Sequence, residues 1–373
     1  MTPAYAQRAV LLVTMGGPRD LSEVKAYLRR VFSDPYIIPG SALKRWFLSR
    51  LIARTAAPKS RERYAAIGGK SSAVEDTELL ARQVTEHFAF RGIRLKCAVA
   101  TRYSTPSIEQ GLAVLAPFLA GSLGKLPLGT REKLSVDTPT ERSGRHPHQP
   151  ATCEDAGRYE DAMPTDVPVE SNRRPITPVY LFPHKTSAMT GSCAHVLGRA
   201  AAKRGISVEP GMRHLGTTNA YTRGWADAIE RAIHKPADTF VLFSCHSLPL
   251  KVIERGDPYV REVRRSVDLI QARLGDLASG LGYQSQEGAD WLGPTVRAAA
   301  ADAYHKGFRE LIVAPLSFVG ESTETRVDLD RELREAAFSM GFRRVERLST
   351  PDKLGFLCAI VVEALCKEWG LGY

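Results

Sequence analysis

Residues 9–15 read AVLLVTM, and Gly16, Gly17 and Pro18 follow them directly. A nearly continuous apolar run of this length is typical of a strand that is buried on both faces. The two glycines and the proline predict a tight turn at its end. A helical pattern occupies residues 21–32, so the chain opens with a buried strand followed by a helix.

The same alternation of apolar strand and amphipathic helix recurs along the chain. It predicts further strands at residues 95–101, 176–182, 239–243 and 310–318, and helices at residues 107–119, 191–202, 260–277 and 354–369. Strands that alternate with helices form parallel sheets with helices on both faces. We predict two doubly wound α/β domains at residues 1–120 and 175–350, with a C-terminal helix at residues 351–373 that packs back across both.

Residues 121–174 break this pattern. They are rich in Pro, Thr, Ser, Gly, Arg, Glu and Asp and contain few large apolar side chains. Such a segment buries too little apolar surface to offset the entropy that ordering would cost. We therefore expect a mobile insertion that is dispensable for folding.

Composition limits the classes of function. The chain has 373 residues, of which 43% are hydrophobic and 25% charged, and these values exclude a fibrous or wholly disordered protein. A formal net charge of +10 favours an anionic partner, such as nucleic acid, an acidic membrane surface or a small molecule with carboxylates. No motif that interleaves aromatic and basic residues supports nucleic acid. Six scattered cysteines without a CxxC pair argue against disulfides and favour a reduced, cytoplasmic protein.

Side chains capable of chemistry follow the predicted strands. In open α/β sheets, ligands bind at the carboxyl ends of the strands. We therefore expect one cleft to be lined by the residues at these ends, namely Met15, Arg102, Tyr103, His246, Glu321 and Glu324. An imidazole at such a place acts as a base or a metal ligand, although a hydrogen-bonded core histidine would show the same pattern.

A series of acidic residues follows the last of these strands. Their spacing of three or four residues places them on one face if the segment is helical; they are Glu321, Glu324, Asp328, Glu332 and Glu335. Oxygen ligands in series suit divalent cations. For Glu332 and Glu335 we expect only a solvated helix face.

Residues 43–54 mix large apolar side chains, among them Trp46 and Phe47, with four basic ones. This composition suits an amphipathic helix that contacts an apolar anionic ligand or a membrane surface. An ordinary packed helix would have a similar pattern.

Several motifs occur in a fixed order along the chain. They are LLVTMGGP at 11–18, FSDP at 32–35, YAAIGGKS at 64–71, RY at 102–103, PSIE at 106–109, FSCHSLP at 243–249, RGDPY at 255–259, QS at 284–285, WLGP at 291–294 and ETRVDLD at 324–330. Together they resemble the motifs of the ferrochelatases, which insert ferrous iron into a porphyrin. The resemblance covers most of residues 9–119 and 175–369.

The resemblance implies two Rossmann-like domains that grip the porphyrin in the cleft between them. It implies a metal and proton role for His246 and Glu324, and an acidic cleft residue at Asp328. It implies porphyrin contacts for Met15, Arg102, Tyr103 and Trp291. Residues 43–52 would form an apolar lip over the macrocycle, in peripheral contact with the inner face of a membrane.

Physical chemistry makes these implied roles reasonable. A free porphyrin is flat and carries two inward N–H groups, so a metal enters only after the ring is bent and both protons are lost. Packing against the apolar faces can supply the energy of bending. A neutral imidazole, with an ordinary pKa of about 6.5, is suited to accept a pyrrole proton. A carboxylate can hold ferrous iron beforehand or pass the proton on.

Three cleft positions depart from the family pattern. Ser322 replaces a second histidine, Lys185 replaces a tyrosine, and Arg326 replaces an apolar residue. His184 is a candidate to compensate for the missing imidazole. Cys358 and Cys366 lack the spacing of the cluster-binding cysteines found in some members, so we expect no iron–sulfur cluster.

From these observations we expect a ferrochelatase that acts on protoporphyrin IX with ferrous iron as its substrate and no tightly bound cofactor. A chelatase for coproporphyrin or for another metal stays open as an alternative. So does a protein that binds porphyrin or haem without chemistry. Oligomeric state is left open by the sequence.

Overall fold

The computed structural model describes residues 7–120, 175–212, 214–285 and 288–373. The predicted insertion at residues 121–174 lies outside this part of the chain. The strands are β1 Gln7–Thr14, β2 Arg94–Thr101, β3 Ile176–Tyr180, β4 Thr239–His246, β5 Ser279–Gln284, β6 Glu310–Pro315 and β7 Arg344–Arg347. They form two sheets with the orders β2-β1-β3 and β5-β4-β6-β7. Every pairing is parallel.

Helices connect the strands. They are α1 Val24–Phe32, α2 Ala42–Ala65, α3 Ala73–Phe90, α4 Ile108–Ala120, α5 Ser192–Ala202, α6 Asn219–Ala232, α7 Leu250–Glu254, α8 Tyr259–Leu274, α9 Val296–His305, α10 Arg334–Met340 and α11 Leu357–Glu368. π-Helical segments at Ser187–Gly191 and Glu324–Leu333 lead directly into α5 and α10. The predicted α/β fold class, with two parallel sheets flanked by helices, is confirmed.

The two sheets share one hydrophobic core. In β1, Val10 and Leu12 face this shared core, whereas Ala9, Leu11 and Val13 face a separate layer formed by α4 and α5. This division follows from the alternation of side chains in a strand. The shared core also contains apolar residues of β4, β6, α3, α6, α8 and α11. Helices therefore fill the space between the sheets and join them into one packed unit.

The C-terminal helix contributes to this joint. Residues of α11 contact both α3 and α6. The carboxylate of Glu363 on α11 accepts hydrogen bonds from the backbone N–H groups of Asn219 (2.7 Å) and Ala220 (2.6 Å) at the start of α6. A carboxylate at a helix N-terminus satisfies free N–H groups and interacts favourably with the helix dipole.

Strand β5 was not predicted from the sequence, and its glycines explain why. Gly280 lies so close to Phe240 of β4 that a Cβ atom would come within 2.8 Å of its ring. A Cβ atom on Gly282 would lie 2.8 Å from the backbone of Val296 at the start of α9. Because close packing requires glycine at both positions, the strand SGLGYQ carries no apolar pattern. Strand β7, RVER, lacks one as well.

Candidate active site

His246 is the last residue of β4, at the carboxyl edge of the second sheet. Two hydrogen bonds fix its backbone: its N–H donates to Ser317 Oγ (3.2 Å), and its carbonyl accepts from the Tyr259 hydroxyl (2.8 Å). The ring is half-buried, and its Nδ1 lies 2.6 Å from the Ser247 carbonyl oxygen. A carbonyl can only accept, so Nδ1 carries the hydrogen and the lone pair of the neutral ring lies on Nε2. In the described part of the chain, Nε2 has no hydrogen-bond partner.

Glu324 begins the π-helical segment that follows β6. Thr323 donates a hydrogen bond to its Oε2 (3.0 Å). Burial raises the pKa of Tyr27 on α1 and of Tyr64 on α2, and the nearby Glu324 carboxylate raises both further. Both phenols therefore stay protonated. The Glu324 carboxylate thus lies near α1 and α2, which belong to the first half of the chain.

Asp328 is bound on both carboxylate oxygens. Arg63 of α2 forms an ion pair with Oδ1, and the Ser285 hydroxyl donates to Oδ2 (2.7 Å). Burial raises the pKa of Asp328, although Ser285 and Arg63 oppose the shift. Ser285 has a φ of 60°, which is unusual for a residue with a side chain and marks local backbone strain. The ion pair of Arg63 and Asp328 thus links the two halves of the chain.

The Glu321 carboxylate belongs to a half-buried ion triad with Arg347 and Asp330. Its Oε1 accepts from Arg347 Nη1 (2.6 Å), and its Oε2 accepts from the Thr325 hydroxyl (2.7 Å). Arg347, whose side chain is 7% exposed, also pairs with Asp330. Burial opposes ionisation of Glu321, but Arg347 and Thr325 together hold its pKa below the usual value. These contacts indicate that Glu321 stabilises the fold.

His184 lies in the core, 2% exposed. Its Nε2 is 3.1 Å from the Ser266 hydroxyl, which itself donates to the Gly216 carbonyl (2.9 Å). Nε2 therefore donates to Ser266, and the buried Nδ1 has no partner in the described residues. Burial lowers the pKa of His184 to about 4, so the ring is neutral at physiological pH. An auxiliary role for this imidazole stays a prediction.

The residues at the ends of β1 and β2 form a cluster with α1. Tyr103 is 2% exposed and packs with Tyr27, their ring centroids 6.5 Å apart, and half-buried Met15 packs against both. Arg102 and Tyr103 both donate hydrogen bonds to the buried Asp34 carboxylate, at 2.5 Å and 2.8 Å. Met15 thus presents the partly exposed surface of this cluster.

Trp291 lies beside the loop that follows His246. Its backbone forms an antiparallel bridge with Pro249, and Leu292 N–H donates to the Leu248 carbonyl (2.9 Å). The indole is half-buried. Porphyrin contacts for Trp291, Met15, Arg102 and Tyr103 stay predictions.

The three residues that depart from the family pattern have different surroundings. Ser322 accepts from the Thr325 N–H (3.4 Å), and its own N–H donates to Thr325 Oγ1 (2.9 Å), so it caps the helix that carries Glu324. Arg326 is exposed, with its guanidinium 3.7 Å from Asp330. Lys185 is half-buried and forms no ion pair within the described residues.

The first half of α2 exposes its apolar side chains. Leu43 is 78% exposed, Phe47 64%, Trp46 53% and Leu51 49%, and the Arg50 guanidinium lies 3.6 Å from the centre of the Trp46 ring. Four large apolar side chains on one exposed helix are unusual for a surface with no partner. The second half of the same helix carries Arg63, which pairs with Asp328, and Tyr64, which lies near Glu324.

Tyr27, Tyr64, Arg63 and Asp34 were missed as site residues by sequence reasoning. Tyr64 and Asp34 lie within quoted motifs, but a motif does not say which carboxylate or guanidinium a side chain meets. Arg63 meets Asp328 from 265 residues away in the chain, and Asp34 meets Arg102 and Ser192 from 68 and 158 residues away. No local pattern in the sequence records such contacts.

Two cavities of the described residues bear on the position of the site. The larger, about 570 Å³, lies beside Ala237 and Ala278, at the amino ends of β4 and β5 and therefore away from His246. The other, about 240 Å³, is lined by Arg29, Arg30, Ser33, Asp34 and Arg102. Within the described ranges, no group of three or more His, Cys, Asp or Glu side chains is arranged to hold a metal ion. No helix in these ranges has the length and apolar character needed to cross a membrane.

Comparison with known proteins agrees with the motifs. The Ferrochelatase family model matches residues 7–118 and 149–367. A protein named ferrochelatase from Geotalea uraniireducens is 30% identical over 351 residues, which cover 92% of each chain. One of the same name from Aquifex aeolicus is 29% identical over 347 residues, covering 92% of this chain and 94% of the relative.

Among solved structures, SirB from Bacillus subtilis with Fe3+ covers 99% of both chains at 12% identity and a TM-score of 0.48, a likeness too weak to carry an inference. The family model spans both sheets and includes His246, Glu324 and the helices that surround them. The chain therefore belongs to the ferrochelatase family and is a metal chelatase, with a porphyrin and a metal ion as its substrates.

Proposed function

We propose that this chelatase inserts ferrous iron into protoporphyrin IX and forms protohaem, the last step of haem biosynthesis. The orientation of the His246 ring carries the proposal. Its Nδ1–H is held by the Ser247 carbonyl at 2.6 Å, so the lone pair on Nε2 is available at the edge of the sheet where ligands bind. A chelatase needs such a base, because the ring gives up two N–H protons for each metal ion that enters.

Proton transfer follows from this tautomer. Nε2 accepts the two pyrrole protons one after the other, releasing the first toward solvent before it accepts the second, and each time the imidazolium keeps its Nδ1–H bond to the Ser247 carbonyl. The backbone carbonyl stabilises that cation and keeps the ring in place during the transfer. The Glu324 carboxylate is suited to pass protons to solvent, since its recorded hydrogen bond is the one from the Thr323 hydroxyl. Tyr27 and Tyr64 stay neutral beside it.

The metal ion passes through this site as a substrate. His246 and Glu324 supply at most one nitrogen and two oxygens, and Asp328 is engaged by Arg63 and Ser285. Iron with so few protein ligands completes its coordination with water and then with the porphyrin nitrogens. Weak holding by the protein favours transfer into the macrocycle.

Apolar surface for the macrocycle is available on several sides. Met15, which directly follows β1, and Trp291, in the loop between β5 and α9, are half-buried. Leu43, Trp46 and Phe47 are exposed near the start of α2. The faces of a porphyrin are apolar, so contacts of this kind supply the binding energy that bends the ring. The same exposed helix face is suited to peripheral contact with a membrane, since it combines apolar and basic side chains.

An anaerobic insertion assay tests the proposal. Purified protein receives ferrous iron with either protoporphyrin IX or coproporphyrin, and metalloporphyrin formation is followed by absorbance. We expect turnover with protoporphyrin IX, loss of turnover in His246→Ala with porphyrin binding retained, and wild-type turnover in His234→Ala. His234 is an exposed histidine near the opposite end of β4, so it is a matched control.

Three results would contradict the proposal in different ways. Turnover with coproporphyrin alone would assign a different tetrapyrrole to the same chemistry. Tight binding of porphyrin by the wild type without insertion of any metal would indicate a binding protein. Full activity of His246→Ala would place the proton acceptor elsewhere.

A further inference from the structure

The backbone of His246 takes part in a closed ring of hydrogen bonds. The His246 N–H donates to Ser317 Oγ (3.2 Å), and the Tyr259 hydroxyl donates to the His246 carbonyl (2.8 Å). The hydroxyl oxygens of Tyr259 and Ser317 lie 2.8 Å apart. Because the hydrogen of Tyr259 goes to a carbonyl, which can only accept, the Ser317 hydroxyl donates to Tyr259. Each of the three hydrogens in the ring therefore has one acceptor.

We infer that Tyr259 and Ser317 are positioning residues for His246, which keep the Nδ1–H of its imidazole on the Ser247 carbonyl and so leave Nε2 as the proton acceptor. The inference rests on the proposed function, because that function makes His246 the base. Both side chains contact the backbone of His246, so they act on the reaction through this residue and not as bases themselves.

The peptide group between His246 and Ser247 transmits the effect to the imidazole. Its carbonyl is bound by Tyr259, and its N–H donates to the Gln284 carbonyl (2.8 Å) on β5. The next carbonyl along the chain, that of Ser247, lies 2.6 Å from the imidazole Nδ1. The Ser247 hydroxyl donates to the Leu292 carbonyl (2.9 Å). A tilt of the peptide group would therefore move the carbonyl that selects the tautomer of His246.

Tyr259 is itself held at its backbone, its ring and its hydroxyl. It is the first residue of α8 and is 4% exposed. Its N–H donates to Asp257 Oδ1 (3.0 Å), and Asp257 Oδ2 accepts from the Ser187 N–H (2.7 Å) in the π-helical segment that leads into α5. The Tyr259 ring packs edge-on against His184, with the centroids 6.0 Å apart. A side chain that fixes a catalytic group needs such support of its own.

Steady-state kinetics of iron insertion provide the first test. The variant is Tyr259→Phe, which removes the hydroxyl and keeps the ring. The control is Tyr283→Phe, because Tyr283 is also 4% exposed, lies on β5 opposite Cys245, and has a hydroxyl without a hydrogen bond to the described residues. We expect Tyr259→Phe to lower kcat roughly tenfold and to keep KM for the porphyrin within about twofold, since a misplaced base slows the chemistry but not binding. Tyr283→Phe should change neither constant.

The tautomer of His246 provides the second test, on the protein without porphyrin or metal. Nitrogen-15 NMR of histidine-labelled protein at about pH 8, where an ordinary imidazole is neutral, shows which ring nitrogen carries the hydrogen. The spectrum of His246→Ala assigns the signal. We expect Nδ1–H in the wild type and in Tyr283→Phe, and a mixture with Nε2–H in Tyr259→Phe. Ser317→Ala removes the other hydroxyl of the ring and should give the same mixture.

The inference requires both changes in Tyr259→Phe. A wild-type kcat would overturn it, and so would an unchanged tautomer. An equal loss of kcat in Tyr283→Phe would overturn it as well, because the cause would then be a general loosening of the core. If Tyr259→Phe does not fold, Ser317→Ala is subject to the same criteria. If the wild type inserts no iron, the proposed function has failed, and the tautomer alone decides whether Tyr259 positions the imidazole.

Discussion

Glu321 and Glu324 lie three residues apart and are expected to respond oppositely to the same substitution. Both oxygens of Glu321 are bound, by Arg347, Thr325 and Thr350. Within the described residues, the Glu324 carboxylate accepts one hydrogen bond, from the Thr323 hydroxyl, and it lies near the phenols of Tyr27 and Tyr64. Glu321→Gln should therefore destabilise the fold and leave turnover of the folded enzyme unchanged. Glu324→Gln should abolish turnover and leave the stability of the fold unchanged.

The magnitude for Glu321→Gln follows from the triad. Removing one partner of a buried ion pair costs about 3–5 kcal/mol. Arg347 keeps its pair with Asp330, and the glutamine oxygen still accepts hydrogen bonds, so we expect a loss of about 2 kcal/mol. With an unfolding entropy of about 2.1 cal/mol/K per residue, that corresponds in a chain of this length to a fall in Tm of roughly 3 °C. The measurement is thermal unfolding at pH 7, with the insertion assay run well below Tm.

The pH dependence gives an independent check. The pKa of Glu321 is held below its usual value, so its stabilisation is fully present above the unfolded pKa of about 4.3 and is lost as pH falls through the folded pKa. The difference in Tm between wild type and Glu321→Gln should therefore shrink below about pH 4. An unchanged Tm at pH 7 combined with abolished insertion would refute the assignment of Glu321 to the triad.

Two further predictions concern His184 and the exposed face of α2. Burial lowers the pKa of His184 to about 4. As pH falls, the unfolded chain therefore binds a proton at this residue at a higher pH than the folded chain does. Stability should fall by up to about 3 kcal/mol between pH 6.5 and pH 4, and denaturant unfolding of His184→Gln should show a weaker fall. Trp46→Ala removes an exposed indole and should weaken porphyrin binding or vesicle association several-fold while Tm stays within about 2 °C; a sharp drop in Tm with unchanged binding would make Trp46 a packing residue.

Apolar runs and helical periodicity were sufficient to predict five of the seven described strands. Four of those five have a continuous buried stretch, as in β4, where seven consecutive residues are buried, whereas buried and partly exposed residues alternate in β2. Strand β5 was not predicted because two of its six residues are glycines. Gly280 allows Phe240 to pack closely, and Gly282 allows the start of α9 to do so. Such close approaches are properties of two segments together, so neither segment reveals them alone.

His246 is the last residue of β4, and Glu324 begins the π-helical segment that follows the neighbouring strand β6. Parallel strands end at one edge of their sheet, which is why the sequence could predict that both residues lie on that side. The sequence did not reveal that the predicted acidic stripe divides into three environments. Glu321 forms an ion pair with Arg347, and Asp328 forms one with Arg63. Glu332 and Glu335 are exposed to solvent, as expected. Spacing fixes which residues share a helix face, but the partners across the cleft decide what each carboxylate does.

Ser322 connects local structure to the chemistry of the site. Its exchange of hydrogen bonds with Thr325 satisfies N–H groups at the start of the helix that positions Glu324, a contribution of about 1 kcal/mol for a capping side chain. The family pattern has a histidine at this position. Histidine would supply a second imidazole but would lack the hydroxyl that forms this cap. With serine there and His184 buried, the proposed mechanism assigns proton acceptance to His246 alone. Ser322→His should therefore lower Tm slightly, and it should raise turnover only if a second base was limiting.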